Sequence, residues 1–194
     1  MKRFYLIFLL ALIFIIGNDS NILAYDNINA AIYADNWALS RNSKYPNFSS
    51  DCTNFVSQAL HEGGKISFDY AGGWFCYKNW YGGFSYGKPW SVAVYHQIWL
   101  IENEGGTIVG MWGPTQQGDI NYSLRFGDVL IYDWGTGEGW SHAAIVTDYG
   151  QDPHSPHYGD LQDQHTTDRK WAIWHLKPYN KYSSTTTIMA IRPK

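Results

Sequence analysis

The chemistry this chain offers starts at a cysteine. Cys52 stands in Asp51-Cys52-Thr53-Asn54-Phe55, and Phe55, Val56, Ala59 and Leu60 mark the apolar side of a helix over Cys52–Glu62. At the start of a helix the backbone N–H groups point outward and the macrodipole favours negative charge. A thiol held there ionises more readily and becomes a better nucleophile, and the Cys52 N–H can face a developing oxyanion. His142 follows Trp140 and Ser141 at the mouth of an apolar strand, where an imidazole can meet a helix N-terminus and take the thiol proton. A third group must then fix the imidazole. His165 lies in the next strand-like segment, with Asp168 just after it, and antiparallel pairing would bring His165 beside His142.

Other chemistries compete for the same residues. His154 and His157, with His165 and Asp152 or Asp160, could bind zinc. A pair of carboxylates could hydrolyse a glycosidic bond, although Asp128 and Asp133 sit where a strand begins and ends. Cys76 is the second of two cysteines. In an oxidising compartment it could pair with Cys52, which would silence the nucleophile.

The elements that must position these groups follow from periodicity. Asn27–Arg41 reads as a helix with Ile28, Ala31, Ile32, Tyr33, Trp37 and Ala38 on its apolar face. Gly63 and Gly64 stop the Cys52 helix. Lys65–Pro89 is a Gly- and aromatic-rich excursion, Ser91–Glu102 a third helix, and Gly105–Asp119 a loop with a short strand. Asp128–Trp134, His142–Tyr149, Leu161–Thr166 and Thr185–Arg192 read as strands, with Gln151–Asp160 as a surface loop. Helices first and strands after is an α+β order, with N-terminal helices on an antiparallel sheet.

Composition bounds the setting. The chain has 194 residues, 45% hydrophobic and 16% charged, which is globular rather than disordered. A net charge of −3 leaves no basic footprint for nucleic acid and no polybasic membrane patch. Lys2 and Arg3 precede the apolar run Phe4–Ile16. At ~1.5 Å per residue that run is too short for a ~30 Å hydrocarbon core, and it has the layout of a secretory signal peptide. Cleavage after Ala24 divides the chain into a 1–24 signal peptide and a single 25–194 domain, secreted or associated with the cell wall and not inserted in the membrane.

Asp51-Cys52-Thr53-Asn54-Phe55-Val56-Ser57-Gln58-Ala59-Leu60 resembles the nucleophile segment of the putative amidase domain family, which is similar to the papain-like NlpC-type and CHAP peptidases. Asn29 to Trp37, Tyr45-Pro46-Asn47-Phe48, Gly127 to Trp134, Trp140 to Thr147 and Gln164 to Asp168 agree in order along the chain. The resemblance implies a papain-like fold with Cys52 as nucleophile, His142 as base and then acid, and His165 as the third polar residue. It leaves Asp168 or Gln164 as substitutes, and Tyr45 or Asn47 as a second oxyanion donor. Asp51, Trp74 and Trp140 would line the substrate cleft. The implied reaction is amide hydrolysis through a thioester, without metal or cofactor, on a peptide or peptidoglycan substrate. The alternative is a secreted module that keeps the fold, has lost catalysis and binds glycan or peptide.

Overall fold

The computed structural model describes residues 24–194, so the signal-peptide reading lies outside the described residues. Helix α1 (Asn27–Trp37) starts at Asp26, whose Oδ1 accepts the Asn29 N–H at 3.0 Å. Helix α2 (Cys52–Gln58) runs on into a wider π turn over Ala59–Gly63. The aromatic excursion contains a small hairpin of β1 (Cys76–Lys78) and β2 (Phe84–Tyr86), followed by α3 (Lys88–Ser91) and α4 (Ala93–Glu102). Six strands follow: β3 (Thr107–Trp112), β4 (Val129–Asp133), β5 (Trp140–Gln151), β6 (Tyr158–Gln164), β7 (Arg169–Ile173) and β8 (Thr187–Arg192). They form one antiparallel sheet in the order β3-β8-β4-β5-β6-β7, with α1, α2 and α4 against β5. The architecture is therefore α+β, with N-terminal helices on an antiparallel sheet.

The sheet is covered on both sides, and the central strands show it by strict alternation. Val129, Ile131, Ala143, Ile145, Met189 and Ile191 face the core shared with the helices. Leu130, Tyr132, Ala144, Val146, Ile188 and Ala190 face a second core built with Ile173, Trp174 and Leu176. That is why these strands read as unbroken apolar runs in the sequence.

Three expectations change. Helix α1 buries Ala30, Ala31 and Ala34, while Ile28 and Ile32 are exposed. The reason is close approach: a β-carbon on Gly63 would sit 2.3 Å from the Asn29 carbonyl oxygen, so only small residues fit where α1 crosses the turn after α2. The surface loop expected over Gln151–Asp160 is shorter, a turn over 152–157, because β5 extends to Gln151 and β6 begins at Tyr158. Strand β7 lies in a segment that had no strand reading, and it pairs along β6.

Helix α2 is buried along its whole length, and its polar side chains are tied off internally. The Asn54 Oδ1 accepts the Trp90 indole N–H at 2.7 Å, the Ser57 hydroxyl accepts that of Trp74 at 3.0 Å, and Gln58 Oε1 accepts the Tyr33 hydroxyl at 3.1 Å. Trp74 stacks on Trp99 with ring centroids 4.2 Å apart. Much of the aromatic surplus is thus a cage around the helix that carries Cys52. Replacing Gly63 by Ala forces a methyl group into the α1 backbone. It should destabilise the protein by about 1–3 kcal/mol and lower Tm by roughly 2–12 °C, as measured by thermal unfolding of the purified protein.

Candidate active site

Cys52 opens α2 with no side chain capping the helix, so the first N–H groups of the helix end stay free of a side-chain acceptor. His142 lies near the start of β5, and both residues are 5% exposed. Burial pushes the Cys52 thiol up. The neighbouring His142 imidazole, through its charge and a hydrogen bond, outweighs that, helped by the Ala143 backbone N–H and the Thr53 hydroxyl. The net result is a thiol brought down to about 7. Cys76 contrasts with it: at the start of β1, burial alone pushes its thiol up to about 12. Both cysteines are free, so the structure does not pair Cys76 with Cys52.

Gln164 meets the other side of the His142 ring. Its Oε1 lies 3.1 Å from His142 Nε2 and 3.1 Å from the donating Gln162 amide, while its Nε2 donates to the Thr167 carbonyl at 3.0 Å. These bonds orient the Gln164 amide with its oxygen toward the imidazole. His142 Nε2 must then carry a proton, which leaves Nδ1 to take the proton of the sulfur.

His165 is one residue further on and is placed elsewhere. Its Nδ1 lies 2.7 Å from Asp51 Oδ2, its Nε2 lies 2.9 Å from the Trp37 carbonyl oxygen, and its ring stacks on Phe55 at 4.1 Å. Neither nitrogen is left for His142. The sheet register explains this: Ile145 opposes Asp163 and Val146 opposes Gln162. Residues of one parity on β6 share the His142 face, and Gln164 is among them. His165 has the other parity and points to the helices. The ladder ends there, and Thr166 takes a left-handed φ of 57°, uncommon for a β-branched residue. In that conformation its hydroxyl accepts the Asp51 N–H at 2.6 Å.

Other expected site residues also have structural partners. Asp51 is buried and also accepts the Phe48 N–H at 3.2 Å and the Asn54 amide at 2.8 Å, so it anchors the loop before Cys52 and does not line a cleft. Arg41 places its Nε 3.1 Å from Asp51 Oδ2 and grips Asp168 through two bonds of 2.9 and 2.8 Å. Asp168 is therefore held at the surface, away from His142. Tyr45 is buried, stacks on Trp90 and gives its hydroxyl to Glu62 at 2.9 Å, which removes it as an oxyanion donor. Asn47 is exposed in the loop leading to Cys52. Trp74 is fully buried in the helix-side core, and Trp140 packs half-buried against the same core.

Among the described residues, the side chains that converge like metal ligands are Asp119, His157 and His175, and not the set expected from sequence. The Asp119 Oδ1 is 2.9 Å from His157 Nδ1 and 3.0 Å from His175 Nε2. Burial pulls His175 down, which favours its neutral form. Its Nδ1 accepts the Lys177 N–H at 3.1 Å, so the proton resides on Nε2 and is given to Asp119. A metal-bound histidine has the opposite arrangement, with the second nitrogen donating. The cluster reads as a hydrogen-bonded tie between the segment before β4, the β5–β6 turn and the end of β7.

A family model described as putative amidase domain matches residues 24–189. The chain belongs to the putative amidase domain family. Two Bacillus subtilis (strain 168) relatives are each 29% identical to it: the uncharacterized protein YhbB over 82% of this chain, and the uncharacterized protein YjcM over 66%. This amidase-family chain spans about half of YhbB (47%) and 29% of YjcM. No solved structure matches it.

The two neighbours Gln164 and His165 should separate experimentally. His165→Ala strands the Asp51 carboxylate and the Trp37 carbonyl and leaves a cavity. It should lower stability by at least about 2 kcal/mol in urea unfolding. Gln164→Ala should instead slow alkylation of Cys52 by iodoacetamide at pH 7 several-fold, because the imidazole is no longer held.

Proposed function

We propose that this member of the putative amidase domain family is a secreted cysteine amidase with a papain-like arrangement, hydrolysing amide bonds in peptidoglycan peptides. The observation that carries the reading is the Cys52 thiol at the start of α2, brought down to about 7 beside a His142 imidazole whose far nitrogen is held by Gln164. Cysteine, histidine and a polar orienting residue in that chain order, from an N-terminal helix and two adjacent strands, match the resemblance to NlpC-type and CHAP peptidases. The charged start and short apolar run at Lys2–Ile16 support export, with 25–194 as the working domain.

The groups divide the reaction as follows. The Cys52 thiolate attacks the amide carbonyl while His142 holds the thiol proton. The tetrahedral oxyanion takes the Cys52 N–H, with the exposed Asn47 side chain as the second donor. His142 gives its proton to the leaving amine as the C–N bond breaks, and a thioester to Cys52 remains. His142 then removes a proton from water, hydroxide adds to the thioester, and the carboxylic acid departs with Cys52 restored. Gln164 keeps the ring in register through both half-reactions without exchanging a proton itself.

Cys52→Ala should abolish release of new amines from peptidoglycan fragments, by at least ~10³-fold, while Tm stays within a few degrees. Mass spectrometry of the wild-type protein quenched in acid should find an acyl group on Cys52. Full activity in the Cys52→Ala protein would overturn the mechanism.

A further inference from the structure

Beside His142 the surface sinks into a cleft of about 370 Å³ whose lining includes Trp134, Gln164, Arg169, Tyr179 and Lys181. Cys52 does not line it. Its charged side chains are Arg169 and Lys181, and no carboxylate is among the lining residues. The Arg169 guanidinium lies 4.0 Å from the centroid of the Tyr179 ring, and the Tyr179 hydroxyl is fixed by Asp152 at 2.5 Å. Among the described residues neither Arg169 nor Lys181 forms an ion pair. The nearest acid in sequence, Asp168, is already gripped by Arg41. Two cations without carboxylate partners, each set against a tyrosine ring, with Lys181 Nζ 4.8 Å from the Tyr182 centroid, are thus gathered next to the catalytic imidazole.

The position of the cleft says which part of a substrate it meets. His142 must protonate the leaving amine, so the amine fragment lies on the imidazole side of the scissile bond. A separate shallow pocket opens at Phe48, Ser49, Ser50, Tyr86 and Ser91, just before Cys52, and it carries no charge. We propose that the cleft beside His142 is a subsite for an amine-side fragment bearing a carboxylate, with Arg169 and Lys181 as its partners. This rests on the amidase reading for its orientation, and it narrows the substrate to amides whose leaving amine carries an acid near the cleaved bond. Arginine suits a bidentate grip on a carboxylate, and the exposed lysine adds a second positive charge.

Binding can be read without turnover. The Cys52→Ala protein would be titrated with small amines, following backbone amide shifts by NMR. One pair is alanyl-alanine and its C-terminal amide, which tests a terminal carboxylate. The other is the C-terminal amides of alanyl-glutamate and alanyl-glutamine, which tests a side-chain carboxylate. The acid of at least one pair should bind tenfold or more tightly than its neutral partner and shift the amides of residues 169 and 179–182. That preference should be lost in a protein also carrying Arg169→Gln and Lys181→Gln, and reduced by Lys181→Gln alone, an exposed position where folding is not at risk. Equal binding of acid and amide, no binding by any of the four, or a preference that survives both substitutions would overturn the subsite. An acid preference in a protein that never forms a thioester would remove the amidase reading and leave the subsite standing; turnover without the preference would do the reverse.

Discussion

The buried carboxylate of Asp51 is the contact on which the site depends. One oxygen takes the Phe48 N–H and the Asn54 amide; the other takes the His165 ring and lies against Arg41. The backbone N–H of the same residue is bonded by Thr166. Four pieces of chain are thereby drawn to the residue that precedes Cys52: the loop between α1 and α2, α2 itself, the end of β6 and the turn beyond it. A buried carboxylate is costly unless its acceptor sites are filled. Here that requirement specifies where each neighbouring segment must sit. His165 extends the tie to the last turn of α1 through the Trp37 carbonyl.

Around this anchor, helix α2 behaves as a core element that exposes its chemistry only at one end. Its sides are enclosed by Trp74, Trp90, Trp99 and the helix-side face of the sheet. Taking a thiolate into such surroundings is unfavourable by itself, as Cys76 demonstrates. The difference at Cys52 comes from what faces the sulfur, chiefly His142 and the Ala143 N–H. The lowered thiol is therefore a property of the junction between α2 and the start of β5.

Much of this was legible from residue order. The apolar runs at Asp128–Trp134, His142–Tyr149 and Thr185–Arg192 correspond to β4, β5 and β8, because strands covered on both faces must be apolar throughout. Cys52 at a helix start and His142 at a strand mouth could be read from local pattern alone. What stayed hidden depended on register and on close approach. Gln164 and His165 are adjacent, and only the pairing of Ile145 with Asp163 decides which one shares a face with His142. The alanine face of α1 was masked by Ile28 and Ile32, which dominate any hydrophobicity count yet point to solvent, since Gly63 brings two backbones too near for larger residues. Trp74 looked like a cleft residue because its segment lacks periodicity, but its role is set by a stacking partner 25 positions away, Trp99.

The central claim is that His142 makes Cys52 a thiolate near neutral pH despite its burial. The direct test is the rate of iodoacetamide alkylation of Cys52 from pH 5 to 10, mapped by mass spectrometry, in the wild-type and His142→Ala proteins. Because the folded thiol is lowered, the thiolate is present above its midpoint and lost below it. The wild-type rate should therefore fall as pH drops through about 7. In the His142→Ala protein burial should dominate, and the midpoint should move above the ~8.5 of a free cysteine. A wild-type midpoint near 8.5 or higher, or one unmoved by removing His142, would contradict the account.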